Sequence, residues 1–130
     1  MEKPRSERTG LTPTDPYFAG YIDADGCIRF SGGTPRIEVK SVFPWVLHQL
    51  QDRFGGSVTK INEEGERSFY RWAISGQRAQ MALIQIEPHL IVKRAQTALV
   101  IQACRMEPGA YRDGVVAQVS ALKHHDYCTD

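Results

Sequence analysis

The hydrophobic residues of this chain follow helical spacing and strand-like alternation in turn. Asp15 is the predicted N-cap of a first helix, Pro16 occupies its first turn, and Gly26 ends it. Apolar and polar residues then alternate over residues 27–31 and 36–40, with a glycine-rich turn between them. The chain therefore begins with a helix followed by a β-hairpin.

The second half of the pattern repeats this order of elements. The remaining predictions are a helix over 44–54, strands over 57–61 and 67–75, and helices over 77–87, 93–105 and 114–122. The order α-β-β-α-β-β-α with further C-terminal helices predicts an α+β fold. Because 130 residues suffice for one core, we predict a single domain over 1–130, with a loosely ordered polar arm over 1–14.

Small residues form a stripe on the first helix. Gly20 and Ala24 lie one turn apart on one face, where they allow a second backbone to approach closely. This backbone belongs either to the same chain or to a partner. Asp23 and Asp25 lie at the end of the same helix, and Asp23 is expected to form hydrogen bonds there.

Charge is arranged locally, since the formal net charge is only +1. Strand alternation places several polar side chains on one face of the predicted sheet, namely Arg29, Ser31, Arg36, Glu38, Lys40 and Arg71. A mixed solvated surface would show the same local clusters. No apolar run approaches the roughly 20 residues that a membrane span needs, so we expect no membrane partner.

Cysteine content is low and gives no framework of disulfides. The residues Cys27, Cys104 and Cys128 are odd in number and widely spaced, which favours unpaired thiols. We therefore expect an intracellular, reducing compartment such as cytoplasm, nucleoid or organelle.

Residues 18–26, with the sequence FAGYIDADG, resemble the LAGLIDADG motif of homing endonucleases at seven of nine positions. The departures are Phe18 and Tyr21 in place of leucines. The resemblance extends over about residues 14–124 and includes Phe54-Gly55-Gly56, the strand 70–74 and the segment 88–96.

This resemblance implies the fold, the partner and the chemistry. The family has a curved four-stranded antiparallel sheet and acts on double-stranded DNA; one motif per chain implies a homodimer. The implied dimer interface consists of Ala19, Gly20, Asp23 and Ala24. The implied metal ligands are Asp25 and Gly26, holding Mg²⁺ or, as a substitute, Mn²⁺, and the implied catalytic residues are Asp25 and Lys93.

The resemblance leaves the rest of the site less defined. A polar residue that assists the water network falls on Lys40 or Ser41, because this chain lacks the glutamine often found there. The expected DNA contacts are Arg29, Ser31, Arg36, Glu38, Lys40, Lys60, Arg67 and Arg71. The expected activity is cleavage of both strands of a long, nearly palindromic site. Two alternatives keep the fold: an RNA-binding intron maturase and a DNA-binding regulator without cleavage.

Overall fold

The computed structural model describes residues 12–62 and 68–125. Within them lie five α-helices and four β-strands. The helices are α1 (Asp15–Asp25), α2 (Trp45–Phe54), α3 (Gly76–Ile86), α4 (Arg94–Cys104) and α5 (Ala110–His125), and a 3-10 turn (Glu87–His89) follows α3. The strands are β1 (Gly26–Ser31), β2 (Thr34–Ser41), β3 (Ser57–Ile61) and β4 (Phe69–Ser75).

The four strands form one antiparallel sheet in the order β1-β2-β4-β3. Alternation along each strand sends apolar side chains to one face, where they meet the helices. On that face Ile28, Ile37 and Trp72 are fully buried in the core, beside Leu47 of α2 and Leu83 of α3. The predicted α+β fold with a four-stranded antiparallel sheet is confirmed.

Close packing at the end of α2 requires glycine. The indole nitrogen of Trp72 donates a hydrogen bond to the carbonyl oxygen of Gly55 at 2.8 Å. A Cβ on Gly56 would lie 2.6 Å from the carbonyl oxygen of Ala73, closer than real Cβ contacts come. The Gly55-Gly56 pair therefore lets β3 enter directly against β4.

Two predicted helix starts differ from the structure. Thr14 precedes α1, and Asp15 lies inside the helix, where its carboxylate forms an ion pair with Arg53 at 3.0 Å instead of capping the helix. The last helix begins at Ala110, four residues before the predicted start. Residues 110–113 contribute no buried apolar side chain to this helix, and Tyr111 is exposed. The helical spacing of apolar residues therefore begins only at Val115.

The cysteine prediction also needs correction. Cys104 is a half-buried free thiol, whereas Cys27 is disulfide-bonded, so the expectation of unpaired thiols is wrong for Cys27. Most of the predicted arm lies outside the described residues. Among the helices of the described part of the chain, none combines the length and apolar character of a membrane span.

Candidate active site and nucleic-acid interface

The face of the sheet that turns away from the helices carries a basic surface. Arg29 lies opposite Arg36 across β1 and β2, and Lys40 lies opposite Arg71 across β2 and β4. Glu38 lies between Arg36 and Lys40 on this face of β2, and it is the one acidic side chain on this face among the described strand residues. The sheet surface therefore has a local excess of positive charge, although the whole chain is nearly neutral.

Glu38 binds two arginines of the sheet face. Its Oε1 accepts hydrogen bonds from Arg36 Nε at 3.0 Å and Nη2 at 2.8 Å, and Arg29 Nη2 lies 3.4 Å from the same atom. Burial raises the pKa of Glu38, but the hydrogen bonds from Arg36 and the charges of Arg29, Arg36 and Arg71 outweigh it. The net pKa lies below the ordinary value, so Glu38 is ionised at neutral pH.

The ion cluster is expected to make stability depend on pH. Because the pKa of Glu38 is lower in the folded chain than its ordinary value of 4.5, its carboxylate stabilises the fold above that value. This contribution is lost as the pH falls through the folded-state pKa. The melting temperatures of the wild-type chain and of Glu38→Gln should differ at neutral pH and converge in acid. A difference that does not change with pH would contradict the role given to the ionised carboxylate.

One of the predicted DNA contacts, Lys60, does not lie on this surface. Lys60 pairs with Tyr70, and the pair Val58 and Trp72 lies two residues further along the same strands. Trp72 is buried in the core, so alternation directs Lys60 to the core side of the sheet, opposite to Arg71. The DNA contact predicted for Lys60 therefore lies off this sheet face and stays a prediction. The sequence pattern did not determine the register of β3. Arg67 lies outside the described residues. Ser31 is exposed at the end of β1, in the same row as Arg29.

Asp25 lies where α1 runs directly into β1. Its side chain is exposed and has no hydrogen bond or ion pair within the part of the chain that the structure describes. The junction is tight, because a Cβ on Gly26 would lie 2.8 Å from the carbonyl oxygen of Ile22. Glycine at this position lets the sheet begin immediately after the acid.

The register next to this junction distinguishes the two candidates for an assisting polar residue. Gly26 pairs with Val39, which is the last pair between β1 and β2 at this end. Asp25 precedes Gly26 and Lys40 follows Val39, so Lys40 is the β2 residue next in register to Asp25. The Ser41 hydroxyl instead accepts hydrogen bonds from the Tyr21 hydroxyl at 3.2 Å and the Phe43 amide at 3.0 Å. Ser41 is therefore used within the fold, and Lys40 is the side chain exposed next to Asp25.

Asp23 and Lys93 hold α1 and α4 together through reciprocal bonds. The Asp23 carboxylate accepts from the backbone amides of Ile91 at 2.7 Å, Val92 at 3.1 Å and Lys93 at 2.9 Å. Lys93 Nζ donates to the backbone carbonyl oxygen of Asp23 at 2.7 Å. A carboxylate thus faces the N-terminus of α4 and an ammonium faces the C-terminus of α1, so each charge complements a helix dipole.

Lys93 differs from a usual lysine at a helix start because its side chain is only 3 % exposed. Its ammonium lies within hydrogen-bonding distance of the α1 end that carries Asp25. The structure therefore places the Lys93 ammonium at the end of α1, on the carbonyl of Asp23, two residues before Asp25 along the chain. It also confirms the hydrogen-bonding role predicted for Asp23.

The exposed face of α1 carries the predicted stripe of small residues. A Cβ on Gly20 would have nothing within 4 Å, and Ala24 is exposed, so packing within the chain does not explain either residue. Tyr17, a larger residue three positions before Gly20, lies next to this stripe and is 43 % exposed. Ala19, in contrast, is fully buried in the core of its own chain, so its assignment to a dimer interface is wrong.

One described chain does not supply a complete set of metal ligands. No group of three or more His, Cys, Asp or Glu side chains that could bind a metal ion occurs among the described residues. Asp25 thus contributes a single exposed carboxylate at the junction. Asp23 does not add a second, because its two oxygens accept the amides of residues 91–93.

The sequence pattern missed one member of the basic face. Phe69 begins β4 two positions before Arg71 and therefore lies on the same side of the sheet. Lys40 Nζ lies 6.0 Å from the centroid of its ring, within reach of a cation–π contact. Counting back from Arg71 by two would have found Phe69, since residues two apart on a strand lie on the same face.

The chain is similar in sequence to the DNA endonuclease I-CvuI of Chlorella vulgaris. The two are 26% identical over 119 residues, which cover 82% of this chain and 73% of I-CvuI. No protein-family model matches the chain.

Solved structures share the fold. I-CvuI in complex with its DNA target in the presence of calcium superposes with a TM-score of 0.63 at 24% identity, covering 87% of this chain and 79% of that one. A second I-CvuI complex was obtained with magnesium and contains uncleaved DNA. The homing endonuclease I-TnaI gives a TM-score of 0.58 at 14% identity and covers 92% of both chains. The resemblance to the LAGLIDADG homing endonucleases is thus confirmed in sequence and in fold.

Proposed function

We propose that this chain is a LAGLIDADG homing endonuclease, a site-specific enzyme that hydrolyses phosphodiester bonds in both strands of a long, nearly palindromic DNA site. One observation carries the proposal: the basic sheet face ends beside the exposed carboxylate of Asp25, at the junction of α1 and β1. A surface that binds phosphates and bases is thereby adjacent to a group able to hold a metal ion. The fold that presents both is shared with DNA-bound I-CvuI.

The sheet face suits double-stranded DNA. Two-stranded β-ribbons fit the major groove, where arginine and lysine donate to guanine and to phosphate oxygens. Arg29, Arg36, Lys40 and Arg71 provide such donors on β1, β2 and β4. Because the net charge of the chain is only +1, this local arrangement supplies the attraction to DNA.

A homodimer would complete the metal site. A two-fold axis through the exposed stripe of α1 would bring a second copy of Asp25 to the junction, since Gly20 and Ala24 let two helices approach closely. The same axis would place two basic faces along one duplex. A long site with matched halves is the substrate that such a dimer fits.

Divalent metal ions suit the ligands available at this junction. Magnesium prefers one or two carboxylates together with phosphate oxygens and water, so Asp25 of each copy and the carbonyl of Gly26 would hold it, with Mn²⁺ as a substitute. When bound, the ion supplies neutralisation of phosphate charge and activation of water for in-line attack. The protein itself supplies the rigid placement of Asp25 through the tight Gly26 junction.

Two lysines have separate roles in this proposal. Lys93 is buried and fixed on the carbonyl of Asp23, so it holds the end of α1 and places positive charge behind the site. Lys40 is exposed beside Asp25 and is the polar residue proposed to order water and bind the phosphate. Positive charge at both positions stabilises the negative charge that develops in the transition state.

Gly20→Leu is expected to convert the proposed dimer into monomers. A leucine on the exposed stripe would separate two crossing helices, while the empty space around Gly20 leaves the fold of each chain unaffected. Sedimentation velocity measures the change in mass. Gly114→Leu is the matched control, because Gly114 is another exposed helical glycine with nothing within 4 Å of its Cβ position. A Gly20→Leu protein that sediments like the wild type would exclude this stripe as the interface.

Cleavage of a randomised DNA library with magnesium, followed by sequencing of the ends, tests the activity. Double-strand breaks at one family of nearly palindromic sites are the expected result. Specific binding without breaks would favour the regulator, and binding of structured RNA alone would favour the maturase.

We also propose an intracellular location. The proposed DNA substrate supports this location. The cysteine content does not, because Cys27 is disulfide-bonded.

A further inference from the structure

Glu38 forms an ion cluster with two arginines on the sheet face. All three short contacts converge on one carboxylate oxygen, Oε1, with Arg36 Nε and Nη2 at 3.0 and 2.8 Å and Arg29 Nη2 at 3.4 Å. The Glu38 side chain is 13 % exposed, whereas those of Arg29 and Arg36 are 25 % and 33 % exposed. The carboxylate thus lies deeper than the guanidinium groups that surround it.

The strand register explains why a carboxylate is needed here. Arg29 and Arg36 lie directly opposite each other across the antiparallel pair, and like charges in that position repel. Glu38 lies two residues after Arg36 on the same face, and its carboxylate binds both Arg29 and Arg36. Removing the carboxylate would leave two guanidinium groups to move apart on an exposed surface.

The contacts also determine which edge of Arg36 remains available. Its Nε and Nη2 point to Glu38, and Nη1 has no partner among the described residues. Nη1 and the second hydrogen of Nη2 form the end-on fork of the guanidinium, which matches O6 and N7 of guanine. Glu38 therefore fixes the Nε–Nη2 edge of the Arg36 guanidinium and leaves the end-on fork available to a ligand.

We propose that Glu38 is a positioning residue that orients Arg36, with Arg29 as its second anchor, for recognition of a guanine in each half-site, and that Glu38 does not itself contact a base. This inference rests on the proposed function of the sheet face as the DNA-reading surface. It replaces the expectation that Glu38 accepts directly from a base edge. The ionised state of Glu38 at neutral pH supports it, because the negative charge strengthens the hydrogen bonds that Oε1 accepts from Arg36.

The test compares base preferences at every position of the selected site. Cleavage of all single-base variants is measured for the wild-type chain, Arg36→Ala, Glu38→Ala, Glu38→Gln and the double variant Arg36→Ala/Glu38→Ala. Arg36→Ala should lower the preference for guanine about tenfold or more at one position in each half-site. Glu38→Ala should lower the preference at that same position, and the double variant should show no further loss.

Glu38→Gln is the conservative rescue, because its amide oxygen can replace Oε1 as the single acceptor. It should keep guanine as the preferred base at the position read by Arg36. Glu87→Gln is the matched control: it also removes a carboxylate bound to an arginine, at 3.5 Å from Arg94, but away from the sheet face. Its preferences should equal those of the wild type.

Four results would overturn the proposal. The first three are a Glu38→Ala effect at a position that Arg36→Ala leaves intact, additive losses in the double variant, and no change in preference in Glu38→Ala. The fourth is a new preferred base in Glu38→Gln, which would show direct reading by Glu38. Failure of the proposed function has a different signature, since the wild-type chain would then select no site and Glu38 would have no preference to change.

Discussion

Asp25→Asn is expected to abolish cleavage while specific DNA binding remains. The substitution removes the charge of the exposed carboxylate at the α1–β1 junction but keeps its size, and no described residue depends on that side chain for a hydrogen bond. A metal ion contributes several kcal/mol to stabilising the transition state, so its loss should lower the cleavage rate about a thousandfold or more. Single-turnover cleavage in magnesium and binding assays in calcium measure the two effects separately.

The control for this variant is Asp52→Asn, which neutralises another exposed aspartate, on α2. Its cleavage rate should equal that of the wild type. Binding lost together with cleavage in Asp25→Asn would place Asp25 among the DNA contacts instead of the metal ligands. Unchanged cleavage in Asp25→Asn would exclude it from the chemistry and refute the proposed site.

Residues whose roles follow from local pattern could be predicted from the sequence. The motif at 18–26 determines the end of α1, the Gly26 junction and the exposed acid, because each depends on neighbours along the chain. Strand alternation likewise predicts that Arg29, Arg36 and Arg71 share one face. These features need no knowledge of tertiary contacts.

Residues whose roles depend on register or on distant partners could not be predicted in the same way. Lys60 is exposed and basic, yet a pairing with Tyr70 that no local signal fixes puts it on the other face. Ala19 belongs to the motif, but the orientation of α1 on the core decides that it is buried and that Gly20 is exposed. The pattern also gave no sign that Asp23 would bind amides about 70 residues away, as the sequence separations show.

This Asp23 contact gives the second large expected effect. Asp23→Ala removes the acceptor for three backbone amides of residues 91–93 and frees the loop that carries Lys93. Hydrogen bonds to a charged group contribute about 1.5–3 kcal/mol each, but water can replace part of this interaction at the exposed amides of Ile91 and Val92. We therefore expect the free energy of unfolding to fall by about 2–3 kcal/mol.

Urea denaturation measures this loss, and cleavage well below the melting temperature measures its effect on the site. The variant should cleave more slowly even when fully folded, because the backbone of residues 91–93 is no longer anchored to the end of α1 and only the bond from Lys93 Nζ to the carbonyl oxygen of residue 23 remains. Asp23→Asn retains one carbonyl oxygen as an acceptor and should lie between the wild type and Asp23→Ala in both measurements. A denaturation midpoint equal to that of the wild type in Asp23→Ala would show that the amides are satisfied without the carboxylate. Lys93 would then be held in place by its burial and by its bond to the backbone carbonyl of residue 23, without help from the Asp23 carboxylate.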